Sequence, residues 1–177
     1  MRHPSDRLER TATALTANGF AVEILDDVAA ARTRIPDLIP EDASVFTSAG
    51  ESLRLSGIDA DINSNGRYRA VKPRVLGMDR ATQADEIRQL LASPDVVVGS
   101  VAALTETGSL VIASGSGSQV PAYSGGAARV ILIVGAQKPA INAGRAVLCW
   151  WHARIISVRT FVAKVSMAGV RTVMNAE

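Results

Sequence analysis

The sequence predicts a single-domain α/β fold, and three observations support this prediction. Segments with strand-like apolar patterns alternate with helical segments of about 10–15 residues, as in β-α-β units. The segment DVVVGSV (95–101) contains a continuous apolar run, which is typical of a strand buried on both faces of a parallel sheet. A length of 177 residues fits one domain with a sizeable core.

The predicted strands are short apolar runs bounded by turn-forming residues. FAVEIL (20–25) alternates like a strand with one buried face. In chain order, the predicted strands occupy residues 20–25, 43–48, 95–101, 109–114 and 128–135.

Two helices are predicted before the second strand. Ser5 can cap the first helix, and Asn18-Gly19 can end it in a left-handed turn. Asp26 or Asp27 can cap the second helix, and Pro36 and Pro40 mark its end. The apolar face of the first helix is predicted from spacings of four and three residues and consists of Leu8, Ala12 and Leu15.

The remaining helices are placed by similar signals. A short helix is predicted over 50–57, with Gly57 as its stop. Asp79 can cap a longer amphipathic helix over 80–92, which Ser93-Pro94 closes. The tail, 136–177, has no clean period, so the sequence predicts no definite element there.

Composition limits the function classes. Apolar residues make up 47% and charged residues 20%, which is ordinary for a folded protein without disorder. No apolar span is long enough for a membrane helix, and no apolar run follows the basic N-terminus as in a secretory signal. A single cysteine, Cys149, excludes an internal disulfide framework and favours a reducing cytoplasm. We therefore expect a cytoplasmic protein without a membrane segment.

Charge and ligand spacing argue against nucleic acid and metal. Residues 1–106 carry 12 basic and 16 acidic side chains, whereas 107–177 carry 7 basic and 1 acidic. No two of those seven cations are adjacent, and no aromatics are interleaved with them, so nucleic-acid binding is not predicted. Cys149 and His152 are spaced like a metal pair but have no second pair nearby, so no metal site is predicted.

Glu106 is the main candidate catalytic residue. It lies in TETG, directly ahead of a predicted strand, and the next acidic residue is Glu177. In an open α/β sheet, ligands collect at the loops beyond the carboxyl ends of the strands. A carboxylate there can act as a base, a nucleophile or an anchor for a substrate hydroxyl group, but it can equally cap a loop or pair with an arginine.

Two segments rich in small residues are candidate binding loops. In GSGSQ (115–119), glycines allow close backbone approach, and successive N–H groups can bind an anion. Val120 stands where the dinucleotide fingerprint requires glycine, and the loop can also be a simple strand connection. In FTSAGESL (46–53), Ser48 can contact a ligand or cap a helix.

One long block of the sequence resembles a known protein family. The block VVGSVAALTETGSLVIASGSGSQVPAYSGGAARVILIVGAQK (97–138) resembles the signature of the LUD-domain family, the lactate-utilisation proteins also called LutC/YkgG-like. The matching pieces are GSV-A-T-E-x-G, SGSQ-PAY and a strand ending in VGAQK. FTSAGESLRLSGID and MDRATQADEIRQLLASPD are similar to upstream parts of that family. The likeness covers about residues 5–138 of one LUD-like domain spanning 1–177.

The resemblance implies a three-layer Rossmann-like sandwich similar to the NagB/RpiA/CoA-transferase fold. It also implies a role in oxidising lactate to pyruvate together with iron–sulfur partner subunits. Glu106-Thr107-Gly108 has the local form of the Glu-x-Gly nucleophile of CoA transferases, an analogy at fold level. The substrate-binding candidates taken from the matching motifs and the two loops are Ser48, Ser100, Thr105, Thr107, Gly108, Gly117, Ser118 and Gln119.

The chain departs from the family pattern after Lys138, where the expected amphipathic helix and acidic segment are missing. True divergence and a shifted reading frame are both hypotheses for the segment 139–177, and translating the gene in all frames distinguishes them. One cysteine cannot hold an iron–sulfur cluster, and no dinucleotide fingerprint is present, so the sequence predicts no redox cofactor of its own.

Three functions follow from these observations. The leading hypothesis is a LUD-type subunit of lactate utilisation that works with iron–sulfur subunits. The second is a stand-alone enzyme that uses Glu106 on a small anionic, sugar-phosphate or CoA-linked substrate. The third is a sensor that binds a carboxylate or phosphate through the Ser/Gly loops. The sequence leaves open whether the chain is catalytic alone and whether it forms a homo-oligomer.

Overall fold

The structure is a computed structural model that describes residues 4–114, 116–135, 146–152, 165–167 and 170–172. Its main feature is a six-stranded sheet with strands in the order β1-β8-β7-β4-β2-β3. The strands of this sheet are β1 (Ala21–Leu25), β2 (Ser44–Thr47), β3 (Arg69–Ala70), β4 (Val96–Gly99), β7 (Arg129–Gly135) and β8 (Ala146–His152). Two separate hairpins consist of β5 (Ala103–Leu104) with β6 (Leu110–Val111) and of β9 (Val165–Met167) with β10 (Val170–Thr172).

Four strands, β3, β2, β4 and β7, run parallel to one another. β8 is antiparallel to both β7 and β1, so β1 points in the same direction as the parallel set. Parallel strands need crossover connections, and here helices supply most of them. The helices are α1 (Pro4–Ala17), α2 (Val28–Leu38), α3 (Glu51–Ser56), α4 (Ile58–Ser64), α5 (Val71–Leu76) and α6 (Ala84–Ala92), followed by a π-helical turn (Ala122–Gly126).

The central strands are buried on both faces, which makes the fold a three-layer α/β sandwich. In β4, Val97 faces one core with Leu8 and Leu15 of α1. Its neighbours Val96 and Val98 face the opposite core, which contains residues of α2 and α4. Alternation along each strand therefore divides the apolar side chains between two helical layers, and the predicted fold class is confirmed.

The first helices form where the caps indicate, with two differences. Asp27 caps α2, because its carboxylate accepts a hydrogen bond from the Ala30 backbone N–H at 2.8 Å. Pro36 lies inside α2 rather than at its end. On the buried face of α1, Leu8 and Leu15 are buried as predicted, but Ala12 is only partly buried. Thr11 is fully buried instead, at 0% exposure. Thr11 tolerates burial because its hydroxyl donates to the Arg7 carbonyl at 2.8 Å.

Three further differences concern the middle of the chain. The predicted helix over 80–92 begins only at Ala84, because the Asp79 carboxylate accepts hydrogen bonds from Ala81 and Thr82 in a preceding turn. The predicted strand at 109–114 forms only the short β6, outside the main sheet. The helices α4 and α5 were not predicted, since short helices lack a full apolar repeat.

The tail contributes a strand to the main sheet. β8 lies between β7 and β1, and the Cα of Cys149 is opposite those of Leu132 and Val22. The prediction that this tail diverges from the family concerns a segment of which only 146–152, 165–167 and 170–172 are described. Its two explanations stay hypotheses.

A close contact at the end of β4 joins the sheet to the π-helical turn. Tyr123, on this turn, is buried with 2% exposure against Gly99. A Cβ atom on Gly99 would lie 2.5 Å from Ser48 Oγ and still closer to the Tyr123 hydroxyl. Gly99 therefore leaves the space in which the tyrosine reaches the carboxyl end of the sheet.

We expect Gly99→Ala to lower the free energy of unfolding by about 1–3 kcal/mol, because the added methyl group overpacks a buried contact. Urea denaturation followed by circular dichroism measures this change. Gly77→Ala is the matched control, since the nearest atom to its added Cβ is at 3.6 Å and its φ is −85°. Equal stabilities of the two variants would contradict the steric role of Gly99.

Candidate functional site

The candidate site lies at the carboxyl ends of the parallel strands β2 and β4, where ligands collect in open α/β sheets. Three hydroxyl-bearing residues meet there. Ser48 Oγ and Tyr123 Oη are 2.7 Å apart, and either can donate. The tyrosine hydroxyl also donates to the Ser100 carbonyl at 3.4 Å. Burial raises the pKa of Tyr123 to about 12, so its phenol stays protonated at neutral pH.

Beside this hydroxyl group is an open cavity, called here the polar pocket. It is lined by Ser48, Ala49, Gly50, Arg54, Asp59 and Lys72. Lys72 Nζ donates to both carboxylate oxygens of Asp59 at 2.8 Å. The two side chains are 31% and 25% exposed, so this ion pair is still reached by solvent. The pocket thus offers a cation, a carboxylate and a hydroxyl group next to one another.

Asn63 holds Asp59 in place. The two residues are one helical turn apart on α4, and Asn63 Nδ2 donates to Asp59 Oδ1 at 3.1 Å. The same amide donates to Thr47 Oγ1 at 2.8 Å, and Thr47 is fully buried at the end of β2. The position of the Asp59 carboxylate is therefore tied to the edge of the sheet.

A second cavity, called here the apolar cleft, adjoins the polar pocket and has a volume of about 450 Å³. Ala49 and Lys72 line both cavities. The apolar cleft lies between the sheet edge, α5 and α6. Its other lining residues are Phe46, Thr47, Val75, Leu76, Arg80, Ala84, Ile87, Arg88, Leu91, Ser116 and Ser118.

Glu106, the predicted catalytic residue, lines neither cavity. Its carboxylate accepts hydrogen bonds from Arg7 Nε at 2.6 Å and Arg10 Nη2 at 3.1 Å, both on α1. The hydrogen bond from Arg10, and then that from Arg7, lowers the pKa of Glu106. Acid–base catalysis at neutral pH uses a raised carboxyl pKa, which is the opposite direction. The catalytic role of Glu106 stays a prediction that the geometry does not test.

The neighbours of Glu106 also face α1. The hydroxyl groups of Thr105 and Thr107 are hydrogen-bonded to each other at 2.8 Å. Asn18 Nδ2, just after α1, donates to the carbonyls of Thr107 and Gly108 at 3.2 Å each. These contacts attach the β5–β6 hairpin to α1, so the structure groups these candidates with one another and not with Ser48.

Some residues of the Ser/Gly loop hold the loop in place, and others line a cavity. Gln119 is buried and accepts a hydrogen bond from Ser114 Oγ at 2.9 Å, while Ser114 Oγ also accepts from the Gly117 N–H at 2.8 Å. Gly117 has a φ of +73°, which favours glycine. Ser118 lines the apolar cleft, next to Ser116. Of the binding candidates, Ser48 and Ser118 therefore lie at adjoining cavities.

Sequence reasoning missed Asp59, Lys72 and Tyr123. Asp59 carries no motif along the chain, because its partner on α4 is Asn63, four residues later on the same face of a helix too short to be predicted. The rarity of lysine could have marked Lys72, since the chain has only three lysines and its other Lys or Arg residues are all arginines. Tyr123 is one of only two tyrosines, and buried tyrosines need hydroxyl partners.

The described residues contain no helix that is long and apolar enough to cross a membrane. They also contain no group of three or more His, Cys, Asp or Glu side chains placed to hold a metal ion. Cys149 and His152 lie on β8, where the structure describes only the backbone.

Comparison with known proteins gives one match. A family model described as LUD domain matches residues 8–140, which is more than half of the chain. This range contains both cavities and agrees closely with the resemblance over 5–138. Searches of curated proteins and of solved structures gave no significant match.

We expect Glu106→Gln to lower the melting temperature at pH 7 and to have little effect near pH 3. A carboxylate whose pKa is lowered on folding stabilises the protein above its unfolded value of 4.5. That stabilisation is lost as the pH falls through the lowered folded-state value. Thermal unfolding followed by circular dichroism from pH 3 to pH 8 measures this dependence.

The matched control is Glu9→Gln, which removes a carboxylate of α1 itself. Glu9 is exposed, and no ion pair is described for its side chain within the described part of the chain. We expect its melting curve to follow that of the wild type. A wild-type pH dependence in Glu106→Gln would show that the two arginine contacts do not stabilise the fold.

Proposed function

Because the chain belongs to the LUD-domain family, we propose that it is a subunit of lactate utilisation that binds a 2-hydroxy carboxylate in the polar pocket. The observation that carries this proposal is the Lys72–Asp59 ion pair, beside Ser48 in an open cavity at the carboxyl end of β2. Such a cavity is where ligands of an open α/β sheet bind.

The chemistry of lactate matches the groups in this pocket. A 2-hydroxy acid carries a carboxylate and, on the next carbon, a hydroxyl group. Lys72 and Arg54 supply the positive charge for the carboxylate, and charge-assisted hydrogen bonds of this kind are the strong ones. Asp59 accepts a hydrogen bond from the substrate hydroxyl, and Ser48 can either donate or accept. Neighbouring groups of opposite charge thus distinguish a hydroxy acid from a simple acid.

Oxidation of lactate to pyruvate removes two electrons and two protons. The chain has one cysteine, and an iron–sulfur cluster normally needs four protein ligands. In this proposal the subunit binds and orients the substrate, and the electrons pass to iron–sulfur partner subunits. The family resemblance supports this division of labour.

We expect isothermal titration calorimetry to detect lactate binding that Lys72→Met weakens by roughly tenfold or more, since the change removes a charge-assisted hydrogen bond. Propionate, which lacks the hydroxyl group, is expected to bind less tightly than lactate to the wild type. The matched control is Arg67→Gln, which removes a cation that lines neither cavity. Equal lactate affinity in Lys72→Met and the wild type would exclude the polar pocket as the lactate-binding site.

We expect the purified chain alone to show no lactate oxidation and to support it when mixed with the iron–sulfur subunits of a lactate-utilisation complex. The assay follows reduction of an artificial electron acceptor with lactate as the donor. Lys72→Met is expected to lower the rate of the mixture, and Glu106→Gln to leave it near the wild-type value. Oxidation by the chain alone that disappears in Glu106→Gln would instead support a stand-alone enzyme.

A further inference from the structure

We propose that the apolar cleft is a second binding site, which takes an amphipathic anion: a ligand with an apolar body and a single anionic head group. This inference goes beyond the binding of a hydroxy acid in the polar pocket. It rests on the apolar lining of the cleft, on the positive charge in that lining and on one arginine for which the described residues offer no partner.

The lining of the cleft calls for an apolar ligand. Its walls include Phe46 from β2, Val75 and Leu76 from α5, and Ile87 and Leu91 from α6. A volume of about 450 Å³ lies within the range of about 300–1,000 Å³ that is usual for small-molecule sites. Lactate has a single methyl group to place against these walls, so a larger apolar body fits them better.

The helix α6 leaves its apolar side available to such a ligand. None of its residues is fully buried, although Ile87 and Leu91 pack partly against the core. Leu76, at the end of α5, is 70% exposed. A ligand between these helices would remove this apolar surface from water, which favours binding.

The charge at the cleft indicates an anionic head group. Lys72, Arg80 and Arg88 line the cleft, and its described lining contains no carboxylate. Lys72 and Arg88 are paired with Asp59 and Asp85, which lie outside that lining.

Arg80 differs from the other cations of this region. Arg74 pairs with Glu86, so both cations of α5 and that of α6 have carboxylate partners. For Arg80, in the loop before α6, the described part of the chain offers no ion pair or side-chain hydrogen bond. A guanidinium in the lining of an apolar cleft, with no carboxylate partner among the described residues, is suited to bind a ligand carboxylate through two parallel hydrogen bonds.

The Ser/Gly loop adds two hydroxyl groups to the lining of the cleft. Ser116 Oγ donates to Ser118 Oγ at 3.0 Å, and both residues line the cleft. One hydroxyl group of this pair is free to donate to a ligand oxygen. The cleft therefore combines apolar walls, one unpaired cation and hydroxyl groups, which is the complement of an amphipathic carboxylate.

Octanoate is the probe for an acyl chain, and 3-phenylpropionate is the probe for an aromatic body. Both are titrated into the full chain by isothermal titration calorimetry. We expect at least one to bind, and 1-octanol, the neutral analogue of octanoate, to bind at least fivefold more weakly than octanoate. Absence of binding by both acids, or equal binding of octanoate and 1-octanol, would overturn the proposal.

Two variants locate the ligand, and neither changes a buried side chain. Arg80→Gln removes the unpaired charge and is expected to weaken binding of the acid about tenfold while leaving 1-octanol unaffected. Ala84→Trp places a large side chain at an exposed lining position, and we expect it to abolish binding. The matched control is Gln89→Trp, on the same helix but outside the lining, which should bind like the wild type. Equal affinities of Ala84→Trp and Gln89→Trp for the acid would exclude the apolar cleft as its binding site.

The failure of this proposal can be distinguished from the failure of the hydroxy-acid site. Arg80 and Ala84 line only the apolar cleft, so their variants should leave lactate affinity unchanged. Loss of octanoate binding in Ala84→Trp with intact lactate binding would support two separate sites. If lactate competes with octanoate for a single site, the second site does not exist.

Discussion

The contact of Gly99 with Tyr123 and Ser48 is the constraint on which both cavities depend. A side chain at Gly99 would occupy the space of the tyrosine hydroxyl, and without that hydroxyl the buried Ser48 would lose its 2.7 Å hydrogen bond. Ser48 and the next residue, Ala49, begin the loop from β2 to α3, and both cavities start at this loop. The missing side chain at the end of β4 therefore preserves the hydrogen bond that holds the Ser48 hydroxyl at the start of this loop.

Lys72 joins the two cavities. It lies in the first turn of α5 and contributes to the lining of both the polar pocket and the apolar cleft. Its ammonium group is held toward the polar side by two 2.8 Å contacts with Asp59. The positive charge in the lining of the apolar cleft thus comes mainly from Arg80 and Arg88, because the charge of Lys72 is largely balanced by the Asp59 carboxylate.

Glu106 shows how a residue that is isolated in sequence is not isolated in space. Along the chain it is the last acid before Glu177, and that isolation suggested a site. In the fold it bridges two arginines of α1, more than ninety residues earlier in the chain. The arrangement fits a carboxylate that attaches the β5–β6 hairpin to the first helix, and the two cavities lie elsewhere.

The sequence by itself determined the α/β class, most strands of the sheet, the cap at Asp27 and the family, because these depend on local periodicity, local hydrogen bonds and short motifs. It also predicted Ser48 and Ser118 as binding candidates, and both line cavities. Only the tertiary structure decided that Asp59 and Lys72 form a pair, that Arg80 has no partner among the described residues and that Glu106 contacts two arginines. Each of these facts depends on which distant side chains meet across the sheet edge or on α1, and one-dimensional spacing carries no information about such encounters.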